Sequence, residues 1–264
     1  VNNSTSSAKL KPDKLLLVPQ ICQFDQEQGY ALLNLICDLI DDHCVEADIM
    51  LSLAVGAKED AATVERLRTK FSKVYIHRCR NEVKGWPYGP NNQVCEVFNE
   101  VFANHRDKRW DYAAFMLIEP DCVPLKKDWI QVLHKEWHEG TQKALGAWLA
   151  VGDSDCGIEH INGNMLISPE ILFDDKSLRR PSFRAWDINF AKIFLAKGRA
   201  SRFIWSDYKL GTEANPWISC KDFYGVKQYK SDKNPLFGEK LFPVWVHGVK
   251  SKDAFNCVKS KLIK

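Results

Sequence analysis

The chain has 264 residues, 45% of them apolar and 27% charged, the profile of an ordinary globular protein long enough to bury a sizeable core. A formal charge of +3 is nearly balanced, so charge alone announces no nucleic-acid partner, although local clusters can still serve an anion. No apolar run approaches the roughly 18 residues of a membrane span, and the N-terminal stretch lacks the shape of a signal peptide.

The polar opening VNNSTSSAKLKPDK reads as a flexible leader over 1–13. KLLLVPQ (14–20) then reads as a buried strand stopped by Pro19, and from 28 to 42 Leu32, Leu33, Leu35, Ile36, Leu39 and Ile40 recur at helical spacing. ADIMLSLAV (47–55) is a second apolar run bounded by Gly56, 60–71 a charged amphipathic helix, and KVYIHRC (73–79) a third strand. The loop RNEVKGWPYGPNN, rich in Gly, Pro and Asn, leads into a helix with Val94, Val97, Phe98, Val101 and Phe102 on one face and Asn91 or Asn92 as its cap. YAAFMLI (112–118) is a fourth strand. Asp128 then caps a helix that turns Trp129, Val132, Leu133 and Trp137 inward and stops near Gly140.

Four alternations of strand and helix imply a parallel sheet with right-handed crossovers, in which ligands bind beyond the carboxyl ends of the strands. The second half is less regular: ALGAWLAV, a turn-like GDSDCG, HINGNMLIS, a helix near 186–197, RASRFIW, and the closing LFPVWVHGVKSKDAF. Without repeats or a low-complexity linker, 14–250 reads as one domain of two joined halves, 14–125 and 126–250, with a tail over 251–264. The nine cysteines are scattered with no C-x-x-C pair, which predicts free thiols in a cytoplasmic protein and argues against zinc.

Five stretches carry groups suited to chemistry. Glu119-Pro120-Asp121, just past the fourth strand, is either a strand-end turn or a pair of oxygen ligands for a hard divalent cation. In VHGVK (246–250), His247 can complete a metal site and Lys250 can neutralise a phosphate, or both can belong to a surface turn. KGWPYGPNNQ (84–93) offers Trp86 for stacking and helix N-terminal amides for a phosphate, beside its reading as an ordinary loop. It contains neither a P-loop nor a dinucleotide-binding glycine pattern. EHINGNMLISPEI (159–171) has the hairpin-turn pair Asn162-Gly163, with His160, Asn162 and Asn164 as hydrogen-bonding groups. In RAWDINFAKIF (184–194), Asp187 is an N-cap or a general base.

Together these elements resemble nucleotide-sugar glycosyltransferases of the GT-A type, over about residues 14–250. That resemblance implies an α/β fold with a Rossmann-like nucleotide-binding half on a mostly parallel sheet, fused to a smaller acceptor-binding half. IEPDCVP stands at the position of the D-x-D-like metal motif, Trp186-Asp187 at the helix-start acid, and VHGVK at the C-terminal metal-binding element. The first acid is Glu119 rather than Asp, so Asp121 is expected to be the direct ligand, with His247 and Glu119 beside it.

The resemblance implies sugar transfer from a nucleotide-diphosphate sugar, UDP-linked by preference, to a hydroxyl, with Mn²⁺ or Mg²⁺ as cofactor. Pro19, Gln20, Arg80, Trp86, Gly89, Asn92 and Lys250 would then surround the donor. His160, Asn162, Gly163, Asn164 and Trp186 would face the acceptor, and Asp187 would be the base of an inverting reaction or would orient the donor sugar of a retaining one. The EPD-x-x-P and H-x-N-G arrangement is also similar to phage and bacterial transferases that glycosylate hydroxymethylated pyrimidines in DNA. That likeness implies a DNA acceptor met at a basic lip, KSLRRPSFR (176–184) with KGRASR (197–202), and action in the cytoplasm of a bacterial host. The competing expectations are a glycosyltransferase acting on a glycan, protein or small-molecule acceptor, a non-catalytic nucleotide-sugar or glycan-binding module, and a nucleotidyltransferase, for which VPQICQFDQEQG lacks the Gly-rich phosphate loop.

Overall fold

Strand β1 (Leu15–Ile21) is buried at every position, as a central strand covered on both faces must be. It belongs to a computed structural model that describes residues 13–151, 157–206, 243–249 and 252–263. β2 (Ala47–Leu53), β3 (Val74–Arg78) and β4 (Ala114–Ile118) join β1 in parallel, connected through α1 (Gln26–Leu39), α2 (Ala61–Lys70) and α3 (Tyr88–Arg106). β5 (Cys122–Pro124) and α4 (Trp129–His138) follow, then β6 (Ala144–Gly146), β7 (Trp148–Leu149), β8 (His160–Ile161) and β9 (Leu166–Ile167). Next come the short helices α5 (Ile171–Asp174), α6 (Trp186–Asn189) and α7 (Ala191–Lys197), and β10 (Gly198–Ala200) and β11 (Ile204–Ser206). The last described elements are β12 (Trp245–His247) and α8 (Lys252–Leu262).

The large sheet has the order β10-β6-β9-β4-β1-β2-β3, and only β9 runs against its neighbours. This is the mostly parallel α/β sheet expected from the alternation. One face is covered by α1, α2, α4 and α8 through residues such as Leu33, Leu67, Trp129 and Val258. The other is covered by α3, α5 and α7 through Phe98, Leu172 and Phe194. Each such side chain, fully buried, contributes about 1.5–3 kcal/mol of transfer free energy. A second, small sheet, β11-β12-β5, leaves the carboxyl end of β4.

Four local expectations change. Pro19 does not stop β1: the β1–β2 register runs from Leu15 to Leu17 and resumes at Gln20, while Pro19 pairs with Ile118 of β4. The ladder is interrupted where the proline has no N–H to give. Asn91 and Asn92 do not cap α3, which begins at Tyr88 with Pro87 at the cap position. Pro90 fits there because first-turn N–H groups have no intrahelical partner. The 186–197 helix is two helices broken at Phe190. Asn162-Gly163 turns no hairpin, since β8 pairs with β7 and β9 with β4 and β6. Beyond these, the segment read as a tail carries α8, with Phe255, Val258 and Leu262 in the core.

Candidate active site

The turn Glu119-Pro120-Asp121 lies just beyond β4, and the small sheet closes over it. Antiparallel pairing of β12 with β5 sets His247 opposite Cys122, the residue after Asp121. Gly248, at φ +100°, takes a left-handed conformation that suits glycine. The chain thereby wraps Asp121, whose carbonyl accepts from the N–H groups of Gly248 at 3.2 Å and Val249 at 2.8 Å. Parallel pairing of β11 with β12 sets Ser206 beside His247.

Three ligand-type groups converge as a result. His247 Nε2 is 3.1 Å from Glu119 Oε2 and 3.3 Å from Asp121 Oδ1, and Nδ1 is 2.9 Å from Ser206 Oγ. Asp121 and His247 are buried, whereas Glu119 is half-open to solvent. Burial alone would depress the imidazole, but the charges of Asp121 and Glu119 and their hydrogen bonds override it and raise His247 to about 10. A buried ring between two carboxylates holds positive charge there as a proton, and a cation can take the proton's place.

Asp187 stands on the other side of Gly163. Its Oδ2 accepts from the Gly163 N–H at 3.0 Å, its Oδ1 from the Ile188 N–H at 2.9 Å, and His160 Nε2 lies 3.8 Å from Oδ2. A Cβ on Gly163 would stand 3.1 Å from the Trp186 ring, 3.3 Å from Glu119 Oε1 and 3.5 Å from Asp187 Oδ2. Glycine therefore lets the acid–histidine group and Asp187 share one locality.

Asn164 is fully buried and fastens the turn. Its Oδ1 accepts from the Glu119 N–H and the Cys122 thiol, both at 2.8 Å, while Asn162 Oδ1 accepts from the Asn164 N–H at 3.1 Å. Trp186 is also buried and packs edge-to-face on Phe98 and Phe194. The observed contacts of Asn162, Asn164 and Trp186 are thus supporting ones, and His160 and Gly163 touch or approach Asp187 directly.

Of the residues expected around a donor, Gln20 lies at the end of β1, one register step past the Pro19–Ile118 pair. It is nine-tenths buried and its Nε2 has no hydrogen-bond partner. Arg80 is exposed just beyond β3, with its N–H on Glu96. Trp86 is 75% exposed, Gly89 lies in the first turn of α3, and Asn92 links Asn81 to the Tyr88 carbonyl. Lys250 falls outside the described residues.

Two site residues escaped the sequence reading. Ser206 orients His247 but lies in FIWSD, which has no motif to flag it. Asp25, at the N-terminal end of α1, is raised by burial against opposing Cys22 hydrogen bonds, and the nearby Asp121 charge adds to the rise. An acid at the start of the helix that follows a buried strand was the available signal. The first turn of α1 also touches the wrap, through Gln28 Nε2 and the Val249 carbonyl at 3.0 Å.

No protein-family model and no curated protein sequence matches the chain. Among solved structures it is similar to the glycosyltransferase GlyE of Streptococcus pneumoniae, at 11% identity and a TM-score of 0.50, covering 91% of this chain and 55% of GlyE. It is also similar to the bifunctional glycosyltransferase WbbM, at 13% identity and a TM-score of 0.52, covering 92% of this chain and 47% of that one. The chain spans about half the length of these two proteins. At such identities the likeness establishes the fold, which is that of GT-A-type glycosyltransferases.

Proposed function

We propose that the chain is a metal-dependent glycosyltransferase that moves a sugar from a nucleotide-diphosphate sugar, UDP-linked by preference, to a hydroxyl acceptor. The observation that carries this reading is the convergence of Glu119, Asp121 and His247 on one side of Gly163 and Asp187 on the other, at the carboxyl end of the sheet.

The Glu119, Asp121 and His247 ligand atoms all lie within 4.8 Å of one another, and two carboxylates with one imidazole suit Mn²⁺ or Mg²⁺ completed by water and phosphate oxygens. A cation held there neutralises charge on a diphosphate leaving group. Ser206 fixes the ring of His247, and Asn164 fixes the turn that carries both carboxylates. In an inverting displacement, the bond from the anomeric carbon to the phosphate oxygen breaks and its electron pair leaves with the nucleoside diphosphate. The acceptor oxygen bonds to that carbon, and its proton passes to Asp187, whose raised pKa suits a general base.

The acceptor side supports a narrower form, transfer to hydroxymethylated pyrimidines in DNA, through exposed Lys176, Arg180 and Arg184 a few residues before Asp187. The second half of the basic lip is paired with acids. Lys197 is paired with Asp174, and Arg199 and Arg202 with Glu136, Arg202 also with Glu139.

The test is a panel of nucleotide sugars with Mn²⁺ or Mg²⁺, scored for thermal stabilisation and donor hydrolysis in wild type and Asp121→Ala. One donor should raise the melting temperature of wild type and be hydrolysed only with metal. Asp121→Ala should retain its circular dichroism and lose both responses. Near-normal turnover by Asp121→Ala would overturn the metal assignment. Metal-dependent donor binding with no hydrolysis or transfer in wild type would favour a binding module.

A further inference from the structure

Away from this site, the far edge of the large sheet carries a second set of ligand-type side chains. His77 and Cys79 stand two residues apart along β3 and just past its end, so both face α3. Glu96, on α3, meets them there, and one ligand atom from each of the three lies within 4.8 Å of the other two. His77 Nε2 is 4.0 Å from Glu96 Oε2. It is buried and has no hydrogen-bond partner.

The three groups are already held by their neighbours. The other ring nitrogen of His77 faces Glu100 Oε2 at 4.0 Å, one helical turn beyond Glu96. Cys79 Sγ is 3.7 Å from Ser52 Oγ, and Ser52 is itself held by Gln93 Nε2. Glu96 accepts from the N–H groups of Arg80 and Asn81 at 2.8 Å. Carboxylate behind histidine, hydroxyl beside thiol and N–H groups on a carboxylate are the outer contacts that orient metal ligands.

We propose that His77, Cys79 and Glu96 form a binding site for a zinc-class divalent cation, distinct from the Glu119–Asp121–His247 group. One imidazole, one thiolate and one carboxylate are a borderline-soft donor set that selects Zn²⁺ over Mg²⁺ or Mn²⁺, with water in the fourth position. Thiolate and carboxylate together balance the two positive charges of the ion, with Cys79 buried and His77 and Glu96 partly open to solvent. Binding displaces the Cys79 proton to solvent. The expectation against zinc rested on the lack of paired cysteines; these ligands come instead from a strand end and from a helix position 17 residues after Cys79. Filling the site would pin the end of β3 and Arg80 to α3.

The test loads the full chain, after chelator treatment and dialysis, with Co²⁺ and then Zn²⁺, in an Asp121→Ala/His134→Ala/His247→Ala background that disables the Glu119–Asp121–His247 group and the Asp13–His134–His138 group. Co²⁺ should give a near-ultraviolet thiolate-to-metal charge-transfer band at one equivalent, bleached by one equivalent of Zn²⁺. Cys79→Ala should abolish the band, and His77→Ala should weaken Zn²⁺ binding at least tenfold in a chelator competition. Absence of the band from a background protein with wild-type circular dichroism would overturn the proposal, as would a band that survives Cys79→Ala. The proposal does not rest on glycosyl transfer, and neither result bears on the donor panel.

Discussion

Burial holds the Asp187 carboxyl above its ordinary range; His160 opposes this, the Glu119 charge adds to it, and the N–H groups of Ile188 and Gly163 pull back. Asp187→Asn removes the proton acceptor while keeping the shape. It also relieves the cost of a buried charge but forfeits one of the two backbone N–H bonds. We therefore expect transfer to fall about 10²–10⁴-fold and the melting temperature to stay within about 4 °C, with donor binding retained. Lost donor affinity at unchanged turnover would place Asp187 in the donor site instead. His247 supplies a pH test. Its folded-state pKa is raised from 6.5 to about 10, so the stability it lends without a cation is fully present below about pH 6.5 and is lost as pH rises toward 10. A cation competes with that proton, so Mn²⁺ affinity should increase about tenfold per pH unit from about pH 6.5 to 9. Calorimetric titration at several pH values checks this, and a flat profile would exclude the ring as a ligand.

At the scale of elements, the site depends on a short strand that brings His247 from more than a hundred residues away. The register of β12 on β5 and β11 puts the ring between the carboxylates and Ser206, and a slip of one residue would turn it to the other face. Asn164 holds the other half of the geometry. Asn164→Ala removes the side-chain oxygen that accepts from the Glu119 N–H and the Cys122 thiol. The expected loss is about 1–3 kcal/mol of stability in urea denaturation. Metal affinity should fall about 10–100-fold, as for other contacts that orient ligands. An unchanged affinity would mean that the turn keeps its shape without Asn164.

Over the whole molecule, charge is nearly balanced, and several cations near the proposed acceptor side are already engaged. The net charge is +3, and Lys143, Lys197, Arg199 and Arg202 are paired with acids on neighbouring elements. Arg179 lies over the Phe102 ring, 3.7 Å from its centroid. If Lys176, Arg180 and Arg184 provide three phosphate contacts, DNA affinity should drop about 40-fold between about 50 and 200 mM salt. Filter binding with hydroxymethylated DNA measures the slope. A slope near zero, or no binding at low salt, would count against a DNA acceptor. Among the described residues, no helix is long and apolar enough to cross a membrane.

Sequence by itself determined the order of the first four strands and their helices, because the strands are continuous apolar runs bounded by turn residues and the helices carry apolar residues at helical spacing. It also marked Glu119, Asp121, Asp187 and His247 as candidates, since acids and a histidine beside apolar runs are conspicuous. Only the tertiary structure decided which of them meet. That result depends on antiparallel pairing of three-residue strands too short to show a period, and on a glycine whose missing Cβ lets two carboxylates approach. It also separated residues alike in sequence: Asn164 and Trp186 entered the core because their polar atoms and ring found partners there. His77, Cys79 and Glu96 came together because a strand end and a helix pack face to face, a contact that no local pattern of residues encodes.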